Sequence, residues 1–92
     1  MIFNPVRYGG GNAKLTKVTT TYGKIYGTRN GEVVKGSGYD SQTEALDAGT
    51  LCYIAPVDDY NKPTSVTGAT LVVSTKTGYG SNSKAGVYQV DA

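Results

Sequence analysis

Residues 24–35 read KIYGTRNGEVVK, so that Asn30-Gly31 stands between the runs 24–29 and 32–35. Asn-Gly is the strongest short-range signal for a β-hairpin, because both central residues of a type I′ turn need a positive φ angle. The runs on either side contain β-branched and aromatic residues, which favour strands. We therefore predict an antiparallel hairpin whose turn is Asn30-Gly31.

The composition extends this preference to the whole chain. Its 92 residues include twelve Thr, ten Val and eight Tyr, all of which favour strands, and thirteen Gly that interrupt the chain every few residues. The length is that of one domain. Frequent short strands with glycine turns are typical of sandwiches and barrels. We expect an all-β fold, namely a small immunoglobulin-like β-sandwich or barrel of about six to seven short antiparallel strands with an extended N-terminal arm.

The predicted strands fall within seven segments, which are residues 14–22, 24–29, 32–35, 50–56, 64–67, 69–76 and 87–90. Residues 41–47 form the only plausible helical turn, although a helix of this length is marginal alone. The same segment could equally be extended and bury Leu46. We divide the chain into an N-terminal arm and glycine-rich joint, residues 1–13, and a β-sandwich domain, residues 14–92.

Residues 50–56 differ from the other predicted strands in being apolar on both faces. Side chains alternate along a strand, so Leu51 and Tyr53 point one way while Cys52 and Ile54 point the other. We therefore predict that this strand lies in the centre of its sheet.

The N-terminal arm combines an apolar head with the three consecutive glycines 9–11. Its four large apolar or aromatic side chains are costly to expose to water: Ile2, Phe3, Val6 and Tyr8. The glycines behave as a flexible joint, and Pro5 favours an extended or turn conformation at Asn4. We expect the head to dock on a partner, and the alternative is that it covers its own domain as an edge strand.

The chain contains no histidine and only one cysteine, Cys52, which excludes several chemistries. Ser-His-Asp and Cys-His arrangements are impossible, and a zinc site needs several Cys or His ligands. The adjacent Asp58-Asp59 pair, with Asn61, is interpreted as a solvated turn rather than a catalytic or cation site. Residues 9–14 lack the spacing of a phosphate loop. We expect no enzyme activity, no cofactor, no metal, and a buried, inert Cys52 thiol.

Charge and targeting signals are weak. Nine basic residues against seven acidic ones leave a net charge of +2, and the lysines are dispersed. Lys14, Lys17 and Lys24 could form one small basic patch, but nucleic acid is an unlikely partner because no basic-aromatic motif accompanies them. Residues 1–12 have no apolar run of signal-peptide length, and no stretch is long enough to span a membrane. We expect synthesis in a cytoplasm and no membrane partner.

Four tyrosines fall in predicted loops or in the arm: Tyr8, Tyr39, Tyr60 and Tyr79. Tyrosine is favoured at protein interfaces, where it supplies contact area at a low entropic cost. These residues are therefore candidate partner contacts. The alternative is that they pack over the ends of strands.

The opening MIFNPVRYGGG, followed by a short β domain, resembles small structural proteins of tailed-bacteriophage and prophage virions, a class in which we assign no single family. The run AGTLCYI at 48–54 and the run VYQV at 87–90 are also similar. By this resemblance the protein is structural and binds in many copies to a symmetric lattice, as capsid decoration or in a tail or baseplate.

The leading hypothesis from this resemblance is a capsid decoration protein that is assembled into virions in the host cytoplasm. Its partners would be the major capsid protein or other virion subunits, in a homo-oligomer or symmetric multicopy assembly. The expected contacts are Ile2, Phe3, Pro5, Val6, Tyr8, Tyr39, Tyr60 and Tyr79. The alternatives are a tail, baseplate or host-surface-binding module, and a small nucleic-acid-binding β-barrel.

Overall fold

The computed structural model describes residues 14–36, 40–56, 64–75 and 84–92, and these contain eight strands and no helix. The all-β prediction is confirmed. The strands are β1 Leu15–Thr20, β2 Gly23–Arg29, β3 Glu32–Lys35, β4 Gln42–Asp47, β5 Leu51–Pro56, β6 Val66–Thr67, β7 Ala69–Ser74 and β8 Gly86–Val90.

The strands form two antiparallel sheets that face each other across one core. The smaller sheet has the order β4-β1-β6, and the larger has the order β3-β2-β5-β8-β7. β5 lies in the middle of the larger sheet, as its two-sided apolar pattern predicted. Along the chain, β1, β4 and β6 belong to the smaller sheet and the other five strands to the larger one, so the chain changes sheet five times. The arrangement is therefore sandwich-like.

The predicted hairpin is present between β2 and β3. Arg29 pairs with Glu32, which leaves Asn30 and Gly31 as the two-residue turn. Their φ angles are 54° and 83°, both in the left-handed region that a type I′ turn requires.

The prediction of six to seven strands was too low by one, because residues 41–47 supply β4. Of the two alternatives for this segment, the extended one is right. β4 pairs with β1 along its whole length, and Leu46 is fully buried. A helix in the same place would leave the main-chain groups of β1 without these partners.

A side chain of the smaller sheet completes the hydrogen bonding of the larger one. β3 ends before it reaches the full length of β2, and the amide of Ile25 instead donates to Oε1 of Gln42 at 3.1 Å. The amide of Gly36 donates to the carbonyl of Ile25 at 2.9 Å. A Cβ at Gly36 would overlap the Gln42 carboxamide, so any other residue there would have to displace the group that accepts the Ile25 hydrogen bond.

The core is formed by seven buried side chains from both sheets, Val18, Ile25, Leu46, Cys52, Ile54, Tyr88 and Val90. One close contact between the sheets is that of Leu46 with Gly27. A Cβ at Gly27 would lie 2.8 Å from Cδ1 of Leu46, so the leucine packs on bare main chain. β4 and β2 are held close because Gly27 has no side chain.

The C-terminal segment ties the two sheets together at one end. The amide of Asp91 donates to the carbonyl of Gly68 at 2.9 Å, and the hydroxyl of Thr16 donates to the carbonyl of Asp91 at 2.6 Å. Thr70 of β7 donates to the Asp91 carboxylate at 2.9 Å. Asp91 therefore joins β1 of one sheet to β7 of the other.

The connection at Gly68 generates a first prediction. Gly68 has a φ of 88°, and a Cβ there would lie 2.1 Å from the carbonyl oxygen of Lys17. Gly49 has a nearly equal φ of 85°, but open space where its Cβ would be. We expect Gly49→Ala to lower the free energy of unfolding by about 1 kcal/mol through φ alone. Gly68→Ala should cost about 2–4 kcal/mol, because main chain must also move.

Denaturant unfolding followed by circular dichroism measures both variants. Equal losses at the two positions would contradict the close packing of β1 on the turn at Gly68.

Candidate protein-binding surface

The outer face of the larger sheet is set by the alternation of its strands. In β5, Cys52 and Ile54 are buried, so Leu51 and Tyr53 point away from the core. In β8, Tyr88 and Val90 are buried, so Val87 points outward. The same reasoning places apolar side chains of the remaining strands outward, namely Tyr26 in β2, Val33 in β3 and Val73 in β7. Polar side chains of the same face surround them: Lys24, Thr28, Lys35, Thr70 and Gln89.

These residues are neighbours across the sheet. Val73 pairs with Val87, Val87 with Tyr53, and Tyr53 with Tyr26, which gives one row across four strands. Leu51 lies two residues along β5 from Tyr53. Directly opposed side chains on one face have Cβ atoms about 4.5–5.5 Å apart, so the row is continuous. We call this surface the outer patch, defined as Tyr26, Val33, Leu51, Tyr53, Val73 and Val87.

The outer patch is open to solvent. The exposed fraction is 62% for Val33, 60% for Leu51, 53% for Val73 and 40% for Tyr53. Single exposed apolar residues are ordinary, but an extended apolar surface on a small domain marks an interaction site.

Tyr53, at the centre of the outer patch, is held in place by two neighbours. Its ring lies 6.2 Å from that of Tyr26, centroid to centroid, at a tilt of 45°. Its hydroxyl accepts a hydrogen bond from the hydroxyl of Thr75 at 3.3 Å. An aromatic side chain that is ordered before binding loses less entropy when a partner covers it.

Three charged residues surround the outer patch on this face, with Lys24 and Lys35 towards one side and Asp91 towards the other. Lys35 pairs with Tyr26 and extends the row at the β3 edge. Asp91 follows β8 at the other end of the strands, where its carboxylate accepts the hydrogen bond of Thr70. Lys35 and Asp91 are both exposed.

The other outer face, that of the smaller sheet, carries Leu15 and Lys17 of β1. Lys24 belongs to β2 and alternates with the buried Ile25, which places it on the outer face of the larger sheet. Lys17 and Lys24 therefore lie on opposite sides of the sandwich. The small basic patch expected from Lys14, Lys17 and Lys24 is not assembled, because the sequence does not reveal which strands share a sheet.

Cys52 is buried and free, as predicted. It lies on the core face of β5, and burial raises the pKa of its thiol above the ordinary value of 9.0. Burial also raises the pKa of the Tyr88 phenol, with a further contribution from the charge of Cys52. The Tyr88 hydroxyl donates a hydrogen bond to the carbonyl of Lys84. Both groups are held in their neutral forms.

The residues that sequence reasoning selected as partner contacts all lie outside the described ranges. These are Ile2, Phe3, Pro5, Val6, Tyr8, Tyr39, Tyr60 and Tyr79. The Asp58-Asp59 pair and the predicted boundary between residues 13 and 14 also lie outside them. Their roles stay predictions.

Sequence reasoning missed the outer patch, although one signal for it was present. The two-sided apolar pattern of Leu51 to Ile54 predicts a central strand, and it does not indicate which of the two faces is covered. In the described part of the chain only the face with Cys52 and Ile54 is buried. The second apolar face of a central strand is therefore the signal for the surface.

Neither a cluster of metal ligands nor a membrane-spanning helix occurs among the described residues. No three or more His, Cys, Asp or Glu side chains among them are grouped so as to hold a metal ion. Over the same ranges, no helix has the length and apolar character needed to cross a membrane.

Comparison with known proteins identifies no relative. No protein-family model, no curated protein and no solved structure matches the chain. The residues of the chain itself are therefore the guide to function, and the outer patch is the surface that indicates a partner.

The two faces of β5 should differ sharply in their contribution to stability. Ile54→Ala removes a fully buried side chain and should lower the free energy of unfolding by about 2–5 kcal/mol. Leu51→Ala, three residues away on the exposed face, should change it by less than about 1 kcal/mol. Thermal and denaturant unfolding at low protein concentration measure both variants. A cost at Leu51 as large as that at Ile54 would mean that the outer patch belongs to the core of the domain.

The thiol of Cys52 should be protected from reagents. In the folded protein its reaction with a disulfide reagent such as DTNB should be at least about tenfold slower than in guanidinium, because the thiol is buried and its raised pKa lowers the thiolate fraction. Cys52→Ser combined with Leu51→Cys moves the thiol to the exposed face and should restore fast reaction. Similar rates for the native protein and this double variant would contradict the assigned faces of β5.

Proposed function

We propose that this protein is a non-enzymatic structural protein of a tailed-phage virion, and specifically a capsid decoration protein. The outer patch is the observation that carries the proposal. An apolar face this extended on a small domain is best explained by burial against other protein surfaces.

The composition of the outer patch suits a protein interface. It has a tyrosine at its centre and aliphatic side chains around it, and its charged neighbours Lys35 and Asp91 lie at the rim. Interfaces between proteins are enriched in aromatic residues at their centre and polar at their edge. The side chains stand on paired strands, so little ordering is needed when a partner binds.

The virion setting is supported by the resemblance of the N-terminal segment and of the runs at 48–54 and 87–90 to small phage structural proteins. A shell offers many identical sites in a fixed geometry. When copies also contact one another, each shell contact can be weak and the assembly still be stable, because the contacts act together.

The arm is assigned the contact with the shell. Its proposed contact residues are Ile2, Phe3, Pro5, Val6 and Tyr8, joined to the β domain through the glycines 9–11. An apolar, extended segment of this length can add a strand to an exposed sheet edge or fill a groove on a neighbouring subunit. The major capsid protein is the partner of this arm.

Nucleic-acid binding is less well supported, since Lys17 and Lys24 lie on opposite faces of the sandwich. A cluster of basic residues on one face is the usual electrostatic footprint of a nucleic-acid site. The tail, baseplate or host-surface alternative depends on Tyr39, Tyr60 and Tyr79, which lie outside the described residues, and binding of the whole chain to a glycan array would favour it.

Capsid binding by the arm is testable with capsids of the encoding phage or prophage prepared without this protein. The full chain should sediment with these capsids in a fixed number of copies. Deletion of residues 2–8, or replacement of Phe3 and Val6 by serine, should lower the bound fraction at least about tenfold, because the buried apolar side chains are lost.

The matched control is Asn4→Ser combined with Arg7→Ser, which keeps the length and the apolar residues of the arm and should bind as the full chain does. Unchanged binding after the deletion would show that the arm does not contact the shell. Failure of the full chain to bind any capsid would refute decoration altogether.

A further inference from the structure

We infer that a second copy of this chain covers the outer patch, so that two larger sheets pack face to face about a twofold axis. This inference rests on the proposal that the outer patch is a protein-binding surface. It names the partner of that surface, whereas the arm is left free to reach the shell.

The size of the face suits a pair of copies. Five strands about 4.8 Å apart, each contributing about five residues with a rise of 3.4 Å, form a face of roughly 24 Å by 17 Å. Two such faces crossed nearly at right angles overlap over roughly 17 Å by 17 Å and, with their side-chain relief, would bury roughly 700–900 Å² in total, which is the size of a weak, transient interface.

The charged residues at the edge of the outer patch determine which relative orientation of the two copies is favoured. From the strand order and register, Lys35 and Asp91 each lie about 10–11 Å from the centre of the outer patch, on opposite sides of it. The twofold axis lies between the two faces and parallel to them. Lys35 of one copy lies opposite Asp91 of the other only if this axis runs diagonally across the strands. The same spacings then give a crossing angle of about 85° between the strands of the two copies.

A crossing angle near 90° is one of the two ways in which sheets pack face to face. In the other, with the strands nearly aligned, Lys35 would lie over the Val73 side of the second copy and lose water without gaining a partner. The orthogonal arrangement instead gives two symmetric Lys35–Asp91 pairs at the rim, and by the same spacings it places Lys24 of each copy over the polar Thr70 of the other. The Leu51 and Tyr53 side chains of both copies then meet at the centre.

The test measures the mass of the full chain by sedimentation equilibrium from about 1 µM to about 1 mM, the range in which an interface of this size associates. We expect a monomer–dimer equilibrium. Leu51→Asp should raise the dimer dissociation constant at least about a hundredfold, since the twofold axis brings two carboxylates into the apolar centre.

The matched control is Leu15→Asp. Leu15 is 42% exposed on the outer face of the smaller sheet, so the same substitution there should leave the dissociation constant unchanged. Circular dichroism of both variants checks that they are folded.

A charge exchange tests the orientation. Lys35→Asp and Asp91→Lys should each raise the dissociation constant about threefold to tenfold, and the double variant should return to within about twofold of the original value. If each substitution weakens the dimer and the double variant is not rescued, the diagonal arrangement is wrong.

A full chain that stays monomeric throughout the concentration range overturns the inference. If such a chain still loses capsid binding on Leu51→Asp, the outer patch binds the shell, and the proposed function survives without the dimer. If dimers form only after deletion of residues 2–8, the arm covers the patch of its own domain. Equal dimerisation of Leu51→Asp and Leu15→Asp also overturns the inference, because association then occurs elsewhere.

Discussion

The contact between Leu46 and Gly27 sets the distance between the two sheets, and most of the fold depends on that distance. Leu46 lies directly on main chain that has no side chain of its own, so β4 approaches β2 closely. At this separation Gln42 can reach the amide of Ile25, and the Thr16 hydroxyl can reach the carbonyl of Asp91. Among the described residues, seven buried side chains fill the space between the sheets.

Local signals in the sequence predicted the parts of the fold that local physics controls. The Asn30-Gly31 turn requires positive φ at both residues, and few other pairs supply it, so the hairpin could be predicted from two residues. β4 could not be predicted uniquely, because its seven-residue pattern fits a helical turn as well as a strand. The choice is made by β1, which is more than twenty residues earlier and offers unpaired main-chain groups to the segment.

The candidate surface was harder to predict than the fold. Alternation along β5 correctly assigned Leu51 and Tyr53 to the face opposite Cys52, but a sequence pattern cannot show whether a second layer covers an apolar face. In this domain the smaller sheet covers only one side of the larger sheet. The row from Val73 to Tyr26 also depends on the register of four strands, two of which are separated by more than thirty residues. The structure was needed to bring these residues together.

The position of β8 has a consequence for how the protein is made. β8 lies between β5 and β7, yet it follows both of them in the chain. While the polypeptide is being synthesised, β5 and β7 therefore each have one edge whose main-chain groups are not yet paired. The larger sheet is complete only when residue 90 has left the ribosome and β8 can pair with both strands. Pairings between residues distant in sequence slow folding and prolong the exposure of such edges. The emergence of this one late strand therefore sets the time at which newly made chains can no longer pair with one another through these edges.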